Sequence, residues 1–279
     1  MQNGFYAVTG AMVTQFNRLD HISNNLANLN TNGFKRDDQV IGDFMRLYQI
    51  VQDELPIKNH TKEAAKFLNR SLNRVPRIVE NYKDFSLGSM VKTGNKLDLA
   101  LGEENLFFVV DTPDGYKLTK NGAFVLNENG EMVTKDGYIV LSKEYFKNSQ
   151  PIELPLNAVD IMIDKSGRVE YLDQTAFNEP VYVNDIMIVR VDDLTSLKPI
   201  GDNLFAFDSD DDPILHMRIV DNPISVYQGV LEKSNVNPVR EMSALIETNR
   251  LVEMYQKAMT TQMDDINKDA ITKLASVRA

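Results

Sequence analysis

The sequence predicts an α+β fold: long N- and C-terminal helices forming a coiled-coil-like pair, with a central antiparallel all-β domain between them. Three observations carry this expectation. Apolar residues recur every seven positions at both ends of the 279-residue chain, neither Gly nor Pro interrupts residues 239–279, and Asp-Gly or Asn-Gly pairs punctuate the middle every seven or eight residues. Heptad spacing puts apolar side chains on one helical stripe, whereas closely spaced turn dipeptides leave room only for short strands.

In the first helix, Phe5, Met12, Leu19 and Leu26 form one row, with Val8, Ile22 and Leu29 three positions later and Gln15 breaking the second row. Such a stripe fits a helix packed on its own domain as well as one that meets a partner. The helix is expected to end where Asn28, Asn30 and Asn32 lead into Gly33. Asn side chains compete for backbone hydrogen bonds, and Gly takes the left-handed conformation common at helix C-termini. Lys35 and Arg36 follow, where the macrodipole favours cations. The Asn run reads either as a capped polar turn or as a surface that hydrogen-bonds a neighbouring subunit.

The last helix is expected to open with Asn237 as N-cap and Pro238 in the first turn. Leu245, Val252, Met259 and Ile266 then repeat every seven residues. Met242, Met263, Ala270 and Val277 lie along a neighbouring row, with Asn249 and Gln256 as polar interruptions. At 1.5 Å per residue the helix would be about 60 Å long, which calls for a long partner or a protrusion.

Between the ends, residues 106–110, 116–119, 123–126, 132–134, 138–141, 159–163, 169–172, 186–191 and 204–207 read as short strands rich in β-branched and aromatic residues. The turns separating many of them include Asp114-Gly115, Asn121-Gly122, Asn129-Gly130, Asp136-Gly137 and Ser166-Gly167. A meander-like antiparallel domain is therefore expected over 97–229. Residues 1–48 with 230–279 form a discontinuous helical assembly domain. Residues 49–96, with Pro56, Pro76 and a helix near 63–72, form a connector.

The net charge of −10 is unevenly placed: residues 1–37 and 238–279 together carry +1, so residues 38–237 carry −11. Near-neutral ends can pack on like copies without long-range repulsion, and an acidic middle argues against nucleic acid as a partner. Cys is absent, so the chain needs no disulfide. The first residues carry no basic segment followed by an apolar core, and no run of 18 apolar residues occurs, so neither a cleavable secretory signal nor membrane insertion is expected.

No catalytic, cofactor-binding or metal-binding set emerges. His21, His60 and His216 stand apart. The acidic run at 208–212 starts like a calcium loop but has Pro213 where the sixth position needs Gly and Ile219 where the twelfth needs Glu. No spacing singles out a carboxylate pair for glycoside hydrolysis. A structural subunit without a cofactor is expected. A secreted β-rich carbohydrate-active enzyme is the alternative from another class, and a soluble binding protein is a third.

Several blocks resemble the flagellar basal-body rod and hook protein family. Arg18-Leu19-Asp20 precedes Ser23, Asn24, Asn25, Leu26, Ala27 and Asn28, and Gly33 and Phe34 follow, in the manner of that family's N-terminal signature. Residues 93–100, 107–110 and 119–122 are similar to its central blocks, and residues 227–232 and 234–242 to its C-terminal block. The resemblance implies a rod subunit that crosses the periplasm, with both terminal helices in an inner tube and the β-domain outside. It implies copies of itself and other rod subunits as partners, and export by the flagellar type III apparatus. The assembly surface would comprise Phe5, Val8, Met12, Leu19, Ile22, Leu26, Leu29, Leu245, Val252, Met259, Met263 and Ile266. Residues 249–260 look more like the proximal-rod type, and residues 33–36 with 43–49 more like the distal-rod type. The proximal type is favoured, with a distal-rod or hook subunit as the alternative.

Overall fold

The computed structural model describes residues 2–43, 76–145, 150–155, 158, 160–173, 179–207, 217–220 and 225–276. The expected helix at 63–72 and the acidic run at 208–212 lie outside the described residues. The chain has one long helix at each end with antiparallel strands between them, and it divides into two compact units. Residues 1–27, 37–83 and 237–279 form the first unit, and residues 28–36 and 84–236 the second. The whole 97–229 β region lies within the second.

In the first unit, α1 (Gln2–Ala27) packs along α2 (Pro238–Ser276), and β1 (Arg36–Asp43) pairs with β2 (Pro76–Asp84), of which only the end residues Arg36 and Asp84 fall in the second. Asn237 caps α2: its Oδ1 accepts from the backbone N–H groups of Val239 at 3.0 Å and Arg240 at 3.2 Å. Pro238 takes the first helical position, where a missing N–H leaves nothing unpaired.

The inward side of α2 runs through Glu241, Leu245, Thr248, Val252, Tyr255, Met259 and Gln262, at alternating spacings of four and three. The Leu245, Val252 and Met259 row lies on this side. The row beside it is polar, while Met242 and Met263 are each 49% exposed. Thr248 is fully buried because its hydroxyl donates to the Ala244 carbonyl at 2.7 Å, so no polar atom is stranded. On α1 the inward side runs through Val8, Ala11, Gln15, Arg18, Ile22 and Asn25. Gln15, which broke the apolar row in the sequence, is buried, and Met12, Leu19 and Leu26 are half-buried beside it.

The second unit is built on a nine-stranded antiparallel sheet. Its centre is β5 (Leu106–Thr112), which pairs with β6 (Gly115–Thr119) on one edge. On the other edge it pairs with β9 (Ile139–Val140) and β13 (Ile188–Arg190). From β9 the sheet continues through β8 (Met132–Thr134) to β7 (Phe124–Leu126), and from β6 through β15 (Leu204–Phe207) to β14 (Leu197–Gly201). A short β16 (Arg218–Ile219) pairs with β13. A separate three-stranded sheet comprises β10 (Ile161–Ile163), β11 (Arg168–Leu172) and β12 (Pro180–Asp185).

Strand alternation gives β5 two buried faces. Leu106, Phe108 and Val110 enter one apolar cluster with Leu99, Leu101, Phe124, Ile188 and Val226. Phe107 and Val109 enter the other with Phe85, Leu118, Leu197 and Phe205. Phe85, Phe107 and Phe205 meet one another with ring centroids 5.3–6.0 Å apart. Each fully buried side chain of this size contributes about 1.5–3 kcal/mol, which makes β5 the energetic centre of the sheet.

The meander expectation needs one correction. Asn121-Gly122 does not join β6 to β7 as a hairpin: β5 lies between β6 and β9, and β7 pairs with β8. Instead the backbone passes close to β4 (Leu99–Leu101). The Gly122 carbonyl accepts from the Leu99 N–H at 2.9 Å, and a Cβ at 122 would lie 1.9 Å from the Leu99 oxygen. The tight turn between β14 and β15 is formed without glycine at its centre, by Asp202 (φ 47°) and Asn203 (φ 59°).

Two ribbons also lie among the described residues of this unit. β3 (Met90–Lys92) pairs with β18 (Val230–Glu232), and β4 pairs with β17 (Val226–Gln228). The C-terminal motif block at 227–232 is thus β-structure.

Candidate functional site: a motif clasp and two helix faces

The terminal motifs meet inside the second unit. After α1 the chain turns at Asn28, whose carbonyl accepts from the Thr31 N–H at 3.2 Å and whose Oδ1 accepts from the Thr31 hydroxyl at 3.0 Å. Gly33 follows at φ +68°, and its N–H donates to the Glu232 carbonyl at 2.8 Å. A Cβ here would lie 2.5 Å from the Lys120 carbonyl carbon, so Gly33 serves both a left-handed backbone and a close approach. Phe34 is buried immediately after it.

Lys35 is not a cation placed for the helix dipole. It is 1% exposed, and its Nζ donates to Glu232 Oε1 at 2.6 Å and to the Ser86 carbonyl at 2.7 Å. Glu232 Oε1 also accepts from the Gly88 N–H at 2.8 Å. A buried ion pair is tolerated only when further hydrogen bonds serve its charges, and here backbone groups of residues 86–88 supply them. Dipole reasoning alone could not find this role, because the partner lies almost 200 residues away in a strand.

Asparagines of the two motifs fasten the same region. Asn235 Oδ1 accepts from the Arg36 N–H at 2.8 Å, and its Nδ2 donates to the Asp84 carbonyl at 2.7 Å. Asn32 accepts from Asn203 through its carbonyl at 2.7 Å and from Lys233 through its Oδ1 at 2.9 Å. Within the first unit, the Asn25 side-chain amide exchanges two 2.8 Å bonds with the backbone of Asp37. Asn25, Asn28 and Asn32 therefore bond within their own chain. Ser23, Asn24 and Ala27 are exposed at the end of α1.

The second feature is the helix pair. Ile22 and Val252 are buried, Val8, Met12, Leu19, Leu26, Leu245 and Met259 are half-buried, and Met263 is exposed, whereas the half-buried Leu29 lies past the end of α1 in the second unit and not on the helix. The side chains of Phe5 and Ile266 lie outside the described residues. A further apolar set on α2 is open: Val239, Met242, Ile246, Met254 and Ile271 are each 49–69% exposed. Val13 and Phe16 on α1 are 52% and 42% exposed. Among the described residues no group of acidic, His or Cys side chains has the makings of a metal site, and no helix is long and apolar enough to cross a membrane.

Three family models match in chain order. They are the flagella basal body rod protein model over residues 5–35, the flagellar hook protein FlgE/F/G D1 domain over 104–171, and the flagellar basal body rod FlgEFG protein C-terminal model over 227–272. The clasp draws Lys35 from the first and Glu232 from the third. Flagellar basal-body rod protein FlgG of Agrobacterium fabrum is 32% identical over 91% of this chain and 93% of its own. The FlgG protein of Buchnera aphidicola from Schizaphis graminum is 30% identical over 93% and 95%. FlgF of Caulobacter vibrioides is 29% identical over 99% and 100%. Such matches define a flagellar hook-and-rod type of protein. The chain belongs to the family of flagellar basal-body rod proteins. Relatives of both the FlgF and FlgG types align near 30% identity, so the match defines the family and not the position along the rod.

Proposed function

We propose that this chain is a structural, non-catalytic subunit of the bacterial flagellar rod, polymerising through its terminal helices into the axial drive shaft that crosses the periplasm. In this reading α1 and α2 form a coiled-coil-like pair within each subunit. Copies of the chain and other rod subunits cover the remaining apolar positions, and the flagellar type III export apparatus carries the subunit out.

The observation that supports this most strongly is the two-sided character of α2. One side is turned inward, while Val239, Met242, Ile246 and Met254 remain exposed on a helix 39 residues long. A run of exposed apolar residues along such a helix is the mark of an interaction surface.

Met242→Asp combined with Ile246→Asp tests the proposal. The double variant should keep wild-type circular dichroism and thermal stability as an isolated chain, yet fail to support rod assembly and motility in a host lacking its own copy. Normal rods from that variant would remove α2's open face from the assembly surface.

A further inference from the structure

The clasp contains two buried lysines and one buried carboxylate. Lys35 and Glu232 form the ion pair already described. Lys120 is the second cation, and it is 2% exposed. Its Nζ donates to the Glu103 carbonyl at 2.8 Å and lies 4.8 Å from the centroid of the Phe107 ring. The Gly33 turn lies against the Lys120 backbone, so the segment that delivers Lys35 also touches the residue that carries the second cation. Glu232 spends one oxygen on Lys35 and the Gly88 N–H, while its Oε2 is buried without a hydrogen-bond partner.

We propose that seating residues 28–36 in the β unit is coupled to loss of a proton: as Lys35 docks on Glu232, Lys120 becomes a surplus buried cation and is released to its neutral form. The charged groups acting on Lys120 are Lys35, which repels its proton, and Glu232, Glu104 and Glu103, which hold it. Glu103 is also engaged by Arg190 at 2.6 Å. Burial comes first among the causes and Lys35 second, and together they lower the Lys120 ammonium from its ordinary 10.5 to about 7. Withdrawing the segment removes the Lys35 charge. Between about pH 7 and the higher value that Lys120 takes once Lys35 is gone, the withdrawn state binds more protons than the seated state. Seating strengthens as pH rises through that window and weakens as pH falls toward 7. Below it both states are protonated and the dependence flattens.

The test uses the full-length chain. Lysine side chains labelled with ¹³C are titrated by NMR, with Lys120 assigned by its absence in Lys120→Arg. Lys120 should titrate near neutrality in the wild type, and its midpoint should rise by about a unit or more in Lys35→Met. A Lys120 that stays charged above pH 9, or a midpoint indifferent to Lys35→Met, overturns the proposal. A second measurement needs no variant to fold. Amide protection of Gly33 to Arg36, corrected for intrinsic exchange, should grow about fourfold between pH 7 and pH 8.5 in the wild type. Protection flat across that range also overturns it.

Discussion

Lys35 donates to Glu232 at 2.6 Å across 197 residues of sequence, with the two side chains 0% and 1% exposed. This pair ties the segment that follows the first helix to the strand that precedes the last. Single substitutions in it are costly, since removing either partner strands the other away from water.

Lys35→Met and Glu232→Gln should therefore each lower unfolding free energy by about 3–5 kcal/mol, as measured in urea. The double variant Lys35→Met with Glu232→Met should regain much of that loss, because a methionine pair leaves no stranded charge. Strictly additive losses would mean that the two side chains act separately.

Gly33→Ala should be more damaging than Gly115→Ala. Both glycines have positive φ, which costs alanine about 1–2 kcal/mol. Only at Gly33 does the added methyl also meet backbone, that of Lys120, whereas Gly115 has nothing within 4 Å. The difference between the two melting temperatures isolates the close approach.

A fragment limited to residues 97–229 should be less stable than one spanning 84–236. The shorter piece lacks Phe85, which packs on Phe107 and Phe205, and it loses the β3–β18 ribbon. Deleting a buried Phe side chain alone costs about 3–5 kcal/mol. Equal urea midpoints for the two fragments would show that the added segments contribute nothing.

Val252→Asp should destabilise the helix pair, while Met254→Asp should leave it intact. Val252 is 6% exposed and Met254 is 60% exposed, only two residues away on the same helix. A buried carboxylate without a partner costs several kcal/mol. Amide exchange along α1 and α2 separates the outcomes, with loss of protection expected in Val252→Asp only.

Much of the architecture was legible in the sequence because it rests on local patterns. The turn dipeptides mark most of the central strands, and Asn237-Pro238 marks the start of α2 within one residue. Ribbons β3–β18 and β4–β17 were not legible, because their strands pair across more than a hundred residues and carry no alternation of their own. Polarity also misled at the helix pair. Hydrophobicity favours Met242 over Thr248, yet Thr248 is the buried residue because its hydroxyl bonds back to its own helix. At the clasp, the sequence marked the motif residues but not their partners. Lys35, Asn235 and Glu232 look like surface residues until tertiary structure brings each one its hydrogen bonds.

The chain passes between its two units more than once. It crosses at 27/28, 36/37, 83/84 and 236/237, so four peptide strands join them where most tandem domains have a single linker. On the β side, Asn235 ties two of these crossings to its own by bonding the Arg36 N–H and the Asp84 carbonyl. On the helical side, Asn25 bonds the backbone of Asp37. A cut at any one of the four crossings would leave three peptide links between the units.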